Sequence, residues 1–414
     1  MTTQSTLDLP AAGGAEPGEP DGGPQDGRTG EVSPAAVASG HLPALDGVRG
    51  VAILLVVTHM LSPLGDPASL LGRLASFGFG VGWVGVQLFF VLSGFLITGI
   101  LLDTQGAPNQ LRAFYARRVL RIFPLYYATL FVAFVVLPLI GRVGPALAHD
   151  RAHQVWLWTY LGNWVASTDA ASRTFPHFWS LAVEEQFYLL WPLVVRGRSP
   201  RACLNLCLGI AAAALAVRAG AWAAGASVEA IYQATLTRMD ALALGGAAAA
   251  GIKIPEVAAW AAARRGRLWA ASAAVGLLGA LLTRLYNHAT LAGATVGYTF
   301  LSITFALAVL AAAQADLGRP AASWLRARPL RALGKYSYGM YVFHKPLHDA
   351  IGKPLLSRLP IDASRSVAAS CVYVACGLGA TFVAAFLSYN CFESWFLRLK
   401  TRFLPRLPPP KSIE

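Results

Sequence analysis

Arg49 and His59 stand ten positions apart in one stretch, Leu45-Asp46-Gly47-Val48-Arg49-Gly50 running into Val51-Ala52-Ile53-Leu54-Leu55-Val56-Val57-Thr58-His59. At the α-helical rise that spacing is roughly 15 Å, about halfway across a bilayer if Arg49 sits at its edge. An imidazole changes protonation near neutral pH, so His59 is suited to taking a proton from a hydroxyl. Glu184 is the second such group. It lies in Phe178-Trp179-Ser180-Leu181-Ala182-Val183-Glu184-Glu185-Gln186-Phe187-Tyr188, where Ser180, Glu184, Phe187, Tyr188 and Trp191 share one helical face. A carboxylate in so apolar a setting is costly unless paired or neutral. It therefore reads as an orienting partner for His59, a ligand for a hydroxyl, or an interhelical ion pair.

Arg118 and Arg121, in Arg117-Arg118-Val119-Leu120-Arg121, are three apart and hence neighbours on a helix surface. Two guanidinium forks side by side suit phosphates; a basic membrane anchor is the alternative. Ser93-Gly94, within an apolar run, lets another helix or an acyl chain come close. Arg238 and Asp240 open a further span and read as pairing with other helices. Tyr336, Tyr338, Tyr341 and His344 line more than one face of another, which reads as interior. Gly80-Val81-Gly82-Trp83-Val84-Gly85 imitates a dinucleotide fingerprint, but no strand precedes it and no acidic residue follows at the right spacing. Small residues for close helix packing are the better account.

These groups must be positioned by helices in a membrane. Of 414 residues, 55% are hydrophobic and 13% charged, with a mean hydropathy of +0.51, where a soluble domain is about one quarter charged. Apolar runs of spanning length recur at 48–62, 83–103, 119–140, 176–195, 202–224, 236–252, 268–284, 294–315, 333–352 and 367–391. The fold expected is all-α, a polytopic bundle of about ten transmembrane helices. Placing the N-terminus in the cytoplasm leaves 21 Lys and Arg on the inner side and 9 on the outer, so both termini are expected to be cytoplasmic. The net charge of +13 is then a membrane signature, and no nucleic-acid partner is expected. The cysteines read as small buried hydrophobes, with neither a disulfide framework nor a metal-ligand spacing. Residues 1–40 form an acidic Gly/Pro-rich tail expected to be disordered, 41–400 the membrane domain and 401–414 a short basic tail. The aromatic-rich segment 141–175 reads as a partly helical flap on the outer surface.

Taken together, Leu-Asp-Gly-x-Arg49 leading to His59, Phe89-Phe-x-x-Ser93-Gly-Phe-Leu, Arg118-x-x-Arg121, Trp179-Ser-Leu-x-x-Glu184-x-Gln186-Phe-Tyr188 and Gly334-x-Tyr-Ser337-Tyr-x-x-Tyr-x-x-His344 resemble the acyltransferase-3 family of integral membrane O-acyltransferases. The likeness runs from about 45 to 400. It implies transfer of an acyl group, often acetyl from acetyl-CoA, to a hydroxyl of a carbohydrate or carbohydrate-bearing product. It makes His59 the catalytic histidine and gives Arg49, Arg118 and Arg121 to the acyl donor. The chain departs from relatives at Glu393-Ser394-Trp395, where many have a proline after the Glu, and it stops without the soluble hydrolase-like domain some append, so the membrane domain is expected to perform the whole reaction.

The resulting expectation is an acyl-CoA-dependent O-acyltransferase in a bacterial cytoplasmic membrane. His59 and Glu184 are catalytic, with His59 the general base. Arg49, Arg118, Arg121 and Ser93 hold the donor; Trp179, Tyr188, Arg238, Asp240 and His344 contact the acceptor. No metal and no tightly bound cofactor are expected, acyl-CoA being a co-substrate. A surface polysaccharide, a cell-wall glycan and a macrolide-type metabolite are all compatible acceptors. The rival is a proton-coupled transporter or flippase of a glycoconjugate, which also wants His, Glu and Arg at depth, although no internal repeat is evident.

Overall fold

A computed structural model describes residues 42–63, 69–287, 289–315, 323–358 and 366–406. The tail expected over 1–40 and the end of the basic tail, 407–414, lie outside them. Among the described residues every regular element is helical. The main helices are α1 (Pro43–Leu61), α2 (Leu70–Gly80), α3 (Val84–Asp103), α4 (Gln110–Phe131), α5 (Phe178–Val195), α6 (Pro200–Ala223), α7 (Thr235–Gly251), α8 (Arg265–Leu282), α9 (Tyr298–Ala315), α10 (Arg328–Leu347) and α11 (Val367–Ser388).

Each of the ten expected stretches is occupied by a helix; α2 is the addition. Six helical segments are long and apolar enough to cross a membrane, and a seventh if α7 and Pro255–Ala263, bent by 97°, count as one span. α5, α8 and α10 fall outside that set because charged or polar side chains dilute their apolar content, yet they pack in the same bundle. On α5 the Leu189, Leu190 and Leu193 side chains remain largely exposed, an outward apolar face.

Two helix starts differ from expectation. α4 begins at Gln110 because the segment around Arg118 and Arg121 is itself helical. α1 begins at Pro43, a residue suited to the first turn, and ends at Leu61. His59 therefore stands in the last turn of α1.

Glycines bring the helices that carry the site into backbone contact. A Cβ added to Gly94 would lie 1.8 Å from the Leu242 carbonyl oxygen, and one on Gly334 would lie 1.9 Å from that of Asp46. Small residues thus lock α3 on α7 and α10 on α1. The cysteine reading needs correction as well. Cys203 and Cys207 are buried, but Cys371, Cys376 and Cys391 are exposed, because α11 and its extension lie at the rim of the bundle, apolar on their outer side.

Segment 141–175 folds as short helices laid over one end of the bundle, held by Tyr126 Oη donating to the Leu157 carbonyl at 2.8 Å. The buried Asp150 carboxylate accepts from Ser172 Oγ at 2.7 Å and from the Arg173 and Thr174 amides at 2.8 and 2.9 Å.

Candidate active site

At one end of the bundle a cavity of about 1130 Å³ opens between α1, α3, α4 and α10. Its lining carries nine cationic side chains and two carboxylates. One bank comes from α1 and α4, with Arg49, Arg117, Arg118 and Arg121. A second comes from the start of α10 and the C-terminal segment, with Arg328, Arg331, Lys335 and Lys400. Both acids are already engaged: Asp103 pairs with Lys253, and Asp46 lies 3.9 Å from Arg49. The excess positive charge therefore faces the void, the electrostatics of a polyanion site.

Arg118 leads inward from this cavity. Its guanidinium lies 5.5 Å from the centre of the Tyr188 ring. The Tyr188 phenol donates to Ser93 Oγ at 2.9 Å, and Ser93 Oγ donates to Glu184 Oε1 at 2.7 Å. Arg49 and Arg118 both act on Glu184 as opposite charges. Five residues expected from sequence, Arg49, Arg118, Tyr188, Ser93 and Glu184, are thus gathered into one polar chain from the cavity to the middle of α3 and α5. On α3, Ser93 shares a face with Leu96 and Ile100, which line the cavity.

His59 is elsewhere. The cavity takes Leu42, Leu45, Asp46 and Arg49 from the start of α1, whereas His59 is at its end. There His59 Nδ1 sits 2.9 Å from the Phe79 carbonyl oxygen. A carbonyl only accepts, so Nδ1 carries the proton of the neutral ring and the Nε2 lone pair is left to act as base. His59 packs against Gly82, eleven residues before Ser93, on the order of 15 Å of helix rise. Glu184 accordingly makes no hydrogen bond to His59, contrary to the orienting role considered for it; its partner is Ser93.

One turn from Glu184 towards the same far end, Ser180 Oγ lies 2.5 Å from Tyr341 Oη, which donates to the His177 carbonyl at 2.9 Å. The fully buried His344 donates from Nδ1 to the Tyr341 carbonyl at 2.7 Å, and its ring centre lies 4.7 Å from that of His177. His344 Nε2 and both His177 nitrogens have no hydrogen-bond partner.

Arg238 and Asp240 are both fully buried and take different partners. Asp240 Oδ2 accepts from Arg218 Nη2 at 2.9 Å and from Thr299 Oγ1 at 3.2 Å, while Oδ1 accepts from the Ala241 amide. Both oxygens are thus engaged inside the bundle, where Asp240 ties α7 to α6 and α9. Arg238 donates to Gln87 and lies 4.4 Å from the Tyr298 ring centre and 4.9 Å from that of Tyr232, with Trp179 and Phe90 completing the enclosure. Arg238 and Trp179 are therefore in contact, in a box of π faces that stabilise the cation.

The acyltransferase-3 family, described as an acyltransferase domain, matches residues 42–390. The chain belongs to that family. YrhL of Bacillus subtilis (strain 168) is 30% identical over 336 residues, covering 74% of this chain and 48% of YrhL. The peptidoglycan O-acetyltransferase OatA of Listeria monocytogenes is 28% identical over 378 residues, covering 86% of this chain and 55% of OatA. The O-acetyltransferase OatA of Staphylococcus aureus (strain NCTC 8325 / PS 47) is 33% identical over 165 residues, which is 37% of this chain and 25% of that protein. The chain thus spans about half the length of the first two relatives. No solved structure matches it.

Three groups at or beside the site escaped the sequence reading. Gln87 is fully buried and holds Arg238; a lone amide in an apolar run was the available signal. His177 fell inside the expected stretch 176–195 but was given no role; in the structure it is the N-cap residue of α5. Arg328 and Arg331 were counted only towards topology, since nothing in the chain order says that they face Arg49.

Proposed function

We propose that this chain is a membrane O-acyltransferase that moves an acyl group, acetyl being the simplest, from acyl-CoA to a hydroxyl on a carbohydrate or glycosylated product. The observation that carries the reading is the cationic cavity leading through Arg118 and Tyr188 to Ser93 and Glu184. Coenzyme A presents a pyrophosphate and a ribose phosphate, a polyanion for which this lining is suited. Its thioester arm is long and thin and would extend from the arginines along α3 and α1. His59, with a free Nε2 lone pair, would take the proton of the acceptor hydroxyl as that oxygen attacks the thioester carbonyl. The names of the Listeria and Staphylococcus relatives favour acetyl and, for the former, a peptidoglycan acceptor. Eight of the nine cations lining the cavity, all but Arg49, are among those counted to the inner side, which supports a cytoplasmic entrance and placement in the bacterial cytoplasmic membrane.

The test is a transfer assay with the purified protein in lipid nanodiscs, labelled acetyl-CoA and peptidoglycan fragments or other glycans. Free CoA should appear together with label on the glycan, and only when both substrates are present. Movement of a glycoconjugate across vesicles without CoA release would replace this reading by the transporter one, against which membership of the family already speaks.

A further inference from the structure

The bank of cations on α10 belongs to the lining suited to coenzyme A, but no particular phosphate has been assigned to it. Arg328, Arg331 and Lys335 stand at i, i+3 and i+7, hence on one face, and all three line the cavity. Like charges at this spacing repel. They also occupy the first two turns of a helix without an acidic residue in its first turn, where the helix dipole disfavours cations. Among the described residues none of the three forms an ion pair, and Arg331 Nε is buried without a hydrogen-bond partner. Lys400 adds to the crowding, with Arg49, Arg117, Arg118 and Arg121 acting on it as like charges. Gly334, pressed on the Asp46 carbonyl, fixes this bank beside Arg49. So costly an arrangement is relieved by a compact dianion.

We propose that Arg328, Arg331 and Lys335 form a phosphomonoester subsite that reads the ribose 3′-phosphate of the donor, while Arg49, Arg118 and Arg121 hold its pyrophosphate. This rests on the acyl-CoA reading above. A phosphomonoester carries nearly two charges at neutral pH and three acceptor oxygens, enough for three donor side chains. The pyrophosphate bank alone would not distinguish coenzyme A from its 3′-dephospho form; the α10 bank would.

The test measures Kd for CoA and for 3′-dephospho-CoA, with the full chain in nanodiscs of zwitterionic lipid. The wild-type protein should bind CoA more tightly by roughly 10- to 100-fold, the range for losing a charge-assisted set of bonds. Arg328→Gln and Lys335→Gln, both at exposed positions, should bring that ratio towards one. Arg118→Gln should weaken both ligands alike. Equal Kd values in the wild type, or an unaltered ratio in both α10 variants, would overturn the subsite while leaving the donor assignment standing. No binding of either ligand would remove the donor assignment itself, and the subsite with it. Repeating the titration with anionic phospholipid in the disc separates a lipid headgroup: α10 variants that change lipid association but not the CoA ratio would assign the bank to lipid and refute the proposal.

Discussion

Ser93 Oγ donates a hydrogen bond to Glu184 Oε1 at 2.7 Å, joining the middle of α3 to α5. The same oxygen accepts from Tyr188, so the hydroxyl is held from both sides. If that carboxylate takes or returns a proton during transfer, Glu184→Gln should lower kcat by roughly 10²- to 10⁴-fold while retaining an acceptor for Ser93. Steady-state transfer by a variant that elutes as a single species on size exclusion measures this. Wild-type turnover in that variant would reduce Glu184 to a packing contact.

His59 should separate chemistry from donor binding, because it sits at the end of α1 opposite the cavity. His59→Ala is expected to abolish transfer with little change in the Kd for CoA. His59→Gln keeps an amide to reach the Phe79 carbonyl but has no basic nitrogen, so it too should be inactive. An active Gln variant would show that the ring only holds α1 against α2.

Arg118 and Arg121 should govern donor affinity. Each charge-assisted contact removed costs about 1.5–3 kcal/mol, so Arg118→Gln or Arg121→Gln should weaken CoA binding by roughly 10- to 100-fold. The dependence of Kd on salt should flatten in step, since fewer charges remain to be screened. Donor binding that is insensitive to both would take the phosphates away from this bank.

The Arg218–Asp240 pair is wholly inaccessible, at 0% exposure on both sides. Removing one partner strands the other charge, a change that costs about 3–5 kcal/mol. Asp240→Asn should therefore lower the thermal unfolding midpoint in detergent, and Arg218→Met with Asp240→Leu should recover much of the loss. An Asp240→Asn protein as stable as the wild type, but inactive, would return Asp240 to the acceptor site.

Much of the architecture could be read in advance because hydrophobic run length is a strong and local signal. All ten stretches became helices, and the errors lie at edges such as those of α1 and α4, where polar first turns continue a helix beyond its apolar stretch. The site was legible residue by residue, since ionisable groups in apolar runs stand out. Their grouping was not. Glu184 was considered a partner for His59 and is bonded to Ser93; Asp240 was read as pairing with another helix, but that its partner is Arg218 was not in the sequence. Which polar group meets which depends on how helices far apart in sequence are rotated and staggered against each other.

The order of residues by itself determined that this chain is a helical membrane protein, which side chains are candidates for chemistry, and which family it belongs to. All three follow from composition, run length and motif spacing along one dimension. Only the tertiary structure decided that cations from α1, α4 and α10 share a cavity, that Ser93, Tyr188 and Glu184 form one chain below it, and that His59 stands apart at the other end. Those facts are set by glycine contacts such as Gly94 on Leu242 and Gly334 on Asp46. Contacts of this kind set helix depth and rotation; Ser93-Gly94 marked one side of a close approach, but neither helix alone names its partner or their stagger.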